Sequence, residues 1–254
     1  MPKRDNSPAA PEWVYGFHSV QALLKTEPHR ISEIRMLRGR TDQRAVKVRA
    51  LAEQHGIAIT VVGRDELEAL APGNHQGVVA LSAAGEVRDE HFLFEFLETL
   101  DHPPLLLVLD EVTDPHNLGA CLRTADAAGV DAVIAPKDNS VGITATVRKV
   151  ASGAAETVPF VVVTNLARVI RQLQERGCWV TGTDGDAPLS LYQADLKGPV
   201  VLVMGAEGKG MRRLTRESCD VLVNLPMAGA VTSLNVSVAT GICLFEAVRQ
   251  RNSG

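Results

Sequence analysis

The chain has 254 residues, of which 45% are apolar and 22% charged, with a formal net charge of −4. That length suits one large or two small domains, and the composition is that of an ordinary soluble globular protein. No apolar run reaches the roughly eighteen residues that a bilayer span needs, and the opening MPKRDNSPAAPE lacks the apolar core of a secretory signal. The expectation is a cytoplasmic protein with a short disordered tail over residues 1–12.

Residues 13–82 predict a small α/β unit. A helix carries Val20, Leu23 and Leu24, and a strand covers Ile31–Leu37. A helix then runs from Asp42 to His55, with Ala45, Val48 and Leu51/Ala52 on one face and Gly56 as its C-cap. A strand (Ile57–Val62), a short helix (Asp65–Ala71), the turn Pro72-Gly73-Asn74 and a strand (Gly77–Leu81) complete the unit. Alternating strands and helices imply a layered sheet. From Lys25 to Arg49 eight basic residues face only three acidic ones (Glu27, Glu33 and Asp42). On an acidic protein such a stretch, with Arg38, Arg40 and Arg44 at its centre, is a candidate phosphate-binding face. An ordinary solvated helix face is the plain alternative.

Residues 83–90, AAGEVRDE, are small and charged and predict a linker. Residues 91–254 predict a second α/β unit. Its strands are expected at Leu105–Leu109, Ala132–Ala135, Thr157–Val163, Trp179–Thr183, Val200–Met204 and Val221–Leu225. Helices are expected near Asn117–Ala128, Thr144–Ser152, Leu166–Arg176 and Ser233–Gln250. Continuous Val/Leu strands suggest a mostly parallel sheet covered on both faces. Ligands bind such sheets outside the carboxyl ends of their strands, which directs attention to the loops after Leu109, Met204 and Leu225. The four cysteines (Cys121, Cys178, Cys219 and Cys243) are far apart among apolar or helical residues, as reduced structural thiols are, and no zinc site is expected.

The first of those loops is DEVTDPHNLGACLR, residues 110–123. Asp114-Pro115 fits turn initiation. Asn117 lies near the expected helix start, where it could cap or hold a ligand. Gly119 allows close approach to the backbone, and Arg123 offers a fork of donors suited to phosphate. By spacing alone, a capped helix with an ordinary surface arginine is the favoured reading. The second loop, VVLVMGAEGKG (200–210), lets glycine backbone wrap closely around a small ligand. It is neither a P-loop nor a dinucleotide fingerprint, and Glu207 would repel a polyphosphate. The third, VNLPMAGAVTSLNVS (223–237), offers apolar side chains and open backbone groups. Thr232 or Ser233 is expected to cap the helix that follows, with Leu234, Val238, Ile242 and Phe245 as its apolar stripe. Gly241 inside that helix costs about 1 kcal/mol against alanine, which calls for very close packing against another backbone.

The segments NLGACLR, MGAEGKG and LPMAGxxxSLNVS, in this order, resemble the three signature motifs of the SpoU/TrmH family of RNA ribose methyltransferases. The N-terminal YGFHSVQALL (15–24) and HQGVV (75–79) are similar to the substrate-binding domain of one branch of that family, which methylates guanosine in the peptidyl-transferase (P-site) loop of bacterial 23S ribosomal RNA. The resemblance covers nearly the whole chain after residue 12. It implies S-adenosylmethionine as cofactor, held in a deep C-terminal trefoil knot of an α/β catalytic domain. It implies a homodimer packed through the knotted region, and 23S ribosomal RNA or the assembling large subunit as partner, with no membrane. By motif match it places Gly205, Leu225 and Leu234 at the cofactor, with Met227 nearby, and Asn117, Arg123, Glu207, Ser233 and Asn235 at catalytic and RNA-contacting positions. The resemblance makes Arg123 the base that takes the ribose proton, although a guanidinium normally keeps its own proton. Gripping the adjacent phosphate and stabilising the forming alkoxide is the alternative. A non-catalytic ribosome-assembly binder could dispense with Arg123, Glu207 or Asn235, all present here. A nicotinamide-dependent oxidoreductase would need a G-x-G-x-x-G turn that is missing after the early strands.

Overall fold

The computed structural model of the chain describes residues 11–72, 75–83, 88–206 and 208–253. The chain forms two compact units, Met1–Glu86 and Val87–Gly254. Among the described residues no helix is long and apolar enough to cross a membrane.

The first unit runs β1 (Glu12–Tyr15), α1 (Phe17–Thr26), β2 (Ile31–Leu37), α2 (Gln43–Gln54), β3 (Ile59–Val62), α3 (Arg64–Leu70) and β4 (Val78–Ser82). Its four strands lie in the order β1-β4-β2-β3. β4 pairs antiparallel with β1 and β2, and β2 pairs parallel with β3. The strand β1 was not expected, and it takes in Glu12 from the predicted tail; residues 1–10 lie outside the described residues. β1 alternates as a strand should: Val14 joins the cluster under α1 and α2, and Trp13 and Tyr15 pack on the opposite side around Leu67. α2 is fixed at its start by the Asp42 carboxylate, which accepts from the backbone N–H groups of Arg44 and Ala45. Ala45, Val48 and Ala52 form its buried face. Its C-cap is His55, one residue earlier than predicted, and Gly56 takes the following left-handed position at φ +67°. Of the predicted turn at 72–74, Gly73 and Asn74 lie outside the described residues.

The second unit runs α4 (Glu90–Glu98), β5 (Leu105–Asp110), α5 (Pro115–Ala128), β6 (Ala132–Pro136), α6 (Ala145–Ala151), α7 (Ala154–Thr157), β7 (Phe160–Val163), α8 (Leu166–Glu175), β8 (Trp179–Thr183), β9 (Leu189–Ser190), β10 (Val200–Gly205), α9 (Arg213–Glu217), β11 (Val221–Asn224) and α10 (Val236–Asn252). Seven strands form one sheet in the order β7-β6-β5-β10-β8-β11-β9. All six pairings are parallel, as the apolar strands predict. Leu105, Leu107 and Leu109 point into a core with α5, α6 and α10. Leu106 and Val108 point the other way, into a core with Leu93 of α4 and the buried face of α8. A strand with both faces buried needs apolar residues at every position, which is why β5 shows no alternation.

Several local expectations are corrected. Residues 84–87 lie outside the described residues, but the predicted linker runs too far. The Arg88 carbonyl accepts from Val162 N–H at 2.9 Å, and Asp89 caps α4, a helix that was not expected. β7 begins at Phe160, because residues 154–157 make a helical turn instead. α5 starts two residues early, at Pro115, with Asp114 rather than Asn117 as its cap. Proline suits that first position because it lacks the N–H that a helix start leaves unpaired. α10 starts at Val236, and its cap is Asn235, not Thr232 or Ser233.

The stripe predicted for α10 is not its core face. Val236, Thr240, Cys243, Leu244 and Ala247 are buried against the sheet and α5, whereas Val238 and Phe245 stay half exposed. α10 carries apolar residues on more than one face, so periodicity could not choose between them. Within the chain, Gly241 meets no close backbone contact among the described residues. An added Cβ there would find only Thr124 Cγ2 at 3.6 Å, an ordinary contact. Close packing falls instead at Gly119, where a Cβ would lie 2.6 Å from Val150 Cβ and 2.9 Å from the Val147 carbonyl oxygen. What approaches the Gly119 backbone is α6, not a ligand.

The four cysteines are free thiols. Burial pushes Cys121 up to about 11 and Cys243 up to about 12. Burial, followed by the nearby Asp220 and Asp110 carboxylates, does the same to Cys219, to about 12. Thiols held protonated are poor nucleophiles.

Gly119→Ala should destabilise the second unit by about 1–3 kcal/mol, the usual cost of overpacking a filled core. Urea unfolding of the variant measures it, and an unchanged midpoint would mean that α6 yields without cost.

Candidate active site

The carboxyl ends of the parallel strands share one edge of the sheet, and their loops build the site there. At the end of β5 the side chain of Asp110 is fully buried, a costly place for a carboxylate unless it is paired. It is paired by Arg212. The Arg212 backbone N–H donates to Asp110 Oδ2 at 2.9 Å, and the guanidinium donates to Oδ1 through Nε at 2.8 Å and Nη2 at 2.7 Å. These contacts tie β5 to the residue that follows the glycine loop.

That loop folds back on itself. Ala206 and Gly210 exchange backbone hydrogen bonds at 3.1 and 2.9 Å. A Cβ on Gly205 would lie 2.2 Å from the Gly210 carbonyl carbon and from Met211 N, so only glycine allows this return. Gly208 and Gly210 hold left-handed backbone at φ +76° and +69°. The glycines therefore serve loop closure first, and the closed loop then offers its backbone to a cleft. Glu207, singled out by sequence, lies outside the described residues.

The cleft has a volume of about 600 Å³ and is walled by three strand-end loops. Gly205 and Met204 come from β10, Leu225 and Met227 from the loop after β11, and Ser233 and Leu234 from the approach to α10. The third wall, Thr183-Asp184-Gly185-Asp186, follows β8 and was missed. A strand end running straight into Asp-Gly-Asp was its signal. In that wall the Arg216 guanidinium, bonded to the Asp184 carboxylate at 2.5 Å, holds its carboxyl below the usual range. The Asp186 backbone N–H adds to this effect. The volume lies in the range of small-molecule sites, as does the mixture of apolar side chains with a few polar groups and open backbone.

The structure therefore gathers Gly205, Leu225, Met227, Ser233 and Leu234 around one cleft. Asn117 and Asn235 are gathered separately. Asn235 Nδ2 donates to Asn117 Oδ1 at 2.9 Å, while Asn235 Oδ1 accepts from the N–H and hydroxyl of Ser237. One bond thus joins the first turn of α5 to the cap of α10. Arg123 does not line the cleft. It lies exposed on α5, with no hydrogen bond or ion pair to a described residue.

The basic stretch of the first unit is smaller than its sequence suggests. Arg30 is buried, bonding to Glu27 and to the Ala83 carbonyl. Arg35 pairs with Glu33 at 3.0 Å and Glu66 at 2.7 Å, with its guanidinium over the Trp13 ring. Arg38 and Arg44 remain exposed, and Arg40 is half-buried beside Asp42 at 3.0 Å.

A fully parallel sheet with a small-molecule cleft at its strand ends defines an α/β ligand-binding or catalytic domain, here in a chain that also contains another α/β unit. The chain belongs to the SpoU rRNA methylase family, which matches residues 104–245. The domain described as RNA 2′-O ribose methyltransferase substrate binding matches residues 13–86. A 23S rRNA (guanosine-2′-O-)-methyltransferase, RlmB, of Pseudomonas putida is 60% identical over 240 residues, 94% of this chain and 97% of that protein. The Escherichia coli K12 protein of the same name is 55% identical over 242 residues, covering 95% and 99%. The AdoMet-bound rRNA methyltransferase of Sinorhizobium meliloti has a TM-score of 0.74 at 27% identity, covering 94% of this chain and 87% of its own. The SpoU methyltransferase AviRb of Streptomyces viridochromogenes shares the fold, at TM-score 0.79 and 24% identity, over 96% and 91% of the two chains.

Arg212→Ala leaves the buried Asp110 carboxylate without its guanidinium and should destabilise the second unit by about 3 kcal/mol. Thermal unfolding measures the loss, and faster amide exchange in residues 205–212 should accompany it. Wild-type stability would show that Asp110 does not depend on this partner.

Proposed function

We propose that the protein transfers a methyl group from S-adenosylmethionine to the ribose 2′-hydroxyl of a guanosine in 23S ribosomal RNA, in the P-site loop of the peptidyl-transferase region. The observation that carries this reading is the full-length likeness, at 55–60% identity, to enzymes named for that reaction, joined to a cleft of suitable size and lining at the strand ends. In this reading the first unit binds the RNA substrate and the second is catalytic.

The cleft fits the cofactor. Met204, Leu225, Met227 and Leu234 give adenine apolar surface, and the closed glycine loop gives backbone groups for its polar edge. Asp186 supplies negative charge for a cationic ligand, while Asp184 is already committed to Arg216. When bound, S-adenosylmethionine supplies a methyl group activated by its sulfonium charge. The chain's own residues position the 2′-oxygen and help remove its proton. Arg123, exposed and uncommitted to a described residue, grips the neighbouring RNA phosphate and stabilises the developing alkoxide. The Asn117–Asn235 bond holds the first turn of α5 to the cap of α10, and Ser233 lines the cleft. Glu207 belongs to the same set by motif.

Two further features belong to this reading. The first is the trefoil knot. β10 inserts between β5 and β8, after which β11 pairs on the far side of β8. The end of α10 is held by the segment before β10 and by Pro104 before β5: Gln250 bonds to Leu196 N–H and the Ala194 carbonyl, and Arg251 to carbonyls of Pro104, Leu196 and Gly198. The second is a homodimer through α10. Val238 and Phe245 are 51% and 49% exposed, and Gly241 lies between them on the same face. A half-exposed apolar stripe with a glycine at its centre is the surface that close packing against a second copy would bury.

Arg123→Ala should abolish methyl transfer while cofactor affinity, read by equilibrium dialysis, stays within twofold. Wild-type turnover by the variant would remove Arg123 from the mechanism. Val238→Glu combined with Phe245→Glu should convert a dimer to a monomer in light scattering, and a variant that stays dimeric would move the interface elsewhere.

A further inference from the structure

A second cleft, of about 450 Å³, lies wholly within the first unit. Arg40 from the loop after β2, Arg44 from α2 and Arg64 from α3 line it, with Leu37, Glu68, His75, Gln76 and Gly77. Arg40 is pre-set. Its guanidinium sits over the Phe17 ring at 5.1 Å, and its Nε lies 3.0 Å from Asp42 Oδ2. Its stem crosses Gly77, where a Cβ would come within 3.5 Å of Nε. Arg44 and Arg64 are exposed, free of ion pairs with described residues. Glu68 is the acidic residue on the wall, and its carboxylate is bonded to His75 Nε2 at 3.2 Å.

His75 is a fixed post rather than a reader. Its Nδ1 accepts from Gly77 N–H at 3.0 Å, so the ring proton sits on Nε2 and is given to Glu68. This shapes the turn that carries Gln76. Gln76 is exposed and held at φ +54°, in left-handed backbone that glycine or asparagine would occupy with less strain. A strained residue whose side chain makes no hydrogen bond to a described residue is expected where the side chain does a job.

We propose that this cleft is a contact point for RNA away from the methylated nucleotide. Arg40, Arg44 and Arg64 seat a phosphodiester, and the Gln76 amide meets the edge of an unpaired base beside it. Three guanidiniums around one cavity match phosphate geometry. An amide carries a donor and an acceptor side by side, as base edges do, and sequence-specific RNA recognition falls on unpaired bases. Arg64 and Gln76, absent from the sequence-based set, enter the site, and Arg38 does not line it.

The proposal rests on RNA being the substrate, so wild-type protein is titrated alongside with a 23S ribosomal RNA fragment holding the P-site loop. Gln76→Gly should relieve the backbone strain, leaving the unfolding midpoint equal or higher, while RNA affinity falls about threefold to tenfold, the range of one lost hydrogen bond. Arg44→Gln with Arg64→Gln should weaken binding and flatten the slope of log K against log salt by about 0.7 for each lost single-strand phosphate contact. Methylation should return at saturating RNA, with cofactor affinity unchanged. Wild-type affinity and slope in the arginine variant, or a loss of stability in Gln76→Gly, would overturn the proposal. RNA binding by neither wild type nor variants would instead sink the substrate reading itself.

Discussion

At the carboxyl end of the interior strand β5 sits a carboxylate with no exposed surface, and the second unit is arranged around satisfying it. Asp110 draws in both the backbone and the side chain of Arg212. The chain between β10 and Arg212 must therefore turn back immediately, and Gly205 is the residue that permits it, because any Cβ there would overlap the returning backbone. The returning loop becomes one wall of the cleft. The walls after β8 and β11 follow from parallel pairing, which sets all three strand ends on one edge.

Seen from the sequence, the parallel sheet was plain because β5, β6 and β10 are buried on both faces and so, apart from Asp110 at the end of β5, carry no charged or polar side chain. The loop after β10 was plain because glycine after a strand is rarely idle. What sequence could not supply was the choice between apolar faces. α10 has two, and which one meets α5 depends on packing partners distant in the chain. Helix caps misled for a related reason. Asn117 and Asn235 are both cap-forming residues, but Asp114 takes the cap of α5, leaving Asn117 to bond across to Asn235. The Asp184 wall escaped notice because its acidic turn has no glycine-rich pattern and acquires meaning only beside the other two loops.

Charge shows the same dependence on tertiary structure. A run of eight basic residues suggested one broad face, yet Arg30 and Arg35 are consumed by Glu27, Glu33 and Glu66. Of the rest, Arg40 and Arg44 meet Arg64, far along the chain, at one cleft, whereas Arg38, Lys47 and Arg49 lie exposed outside its lining. A protein of net charge −4 can thus present a local cationic site to a polyanion.

The most direct measurement is to incubate the purified wild-type protein with unmodified 23S ribosomal RNA and methyl-labelled S-adenosylmethionine, digest the RNA, and locate the label. The account predicts label in 2′-O-methylguanosine, confined to the P-site loop. Label on a base, in another nucleoside or outside that loop would contradict it.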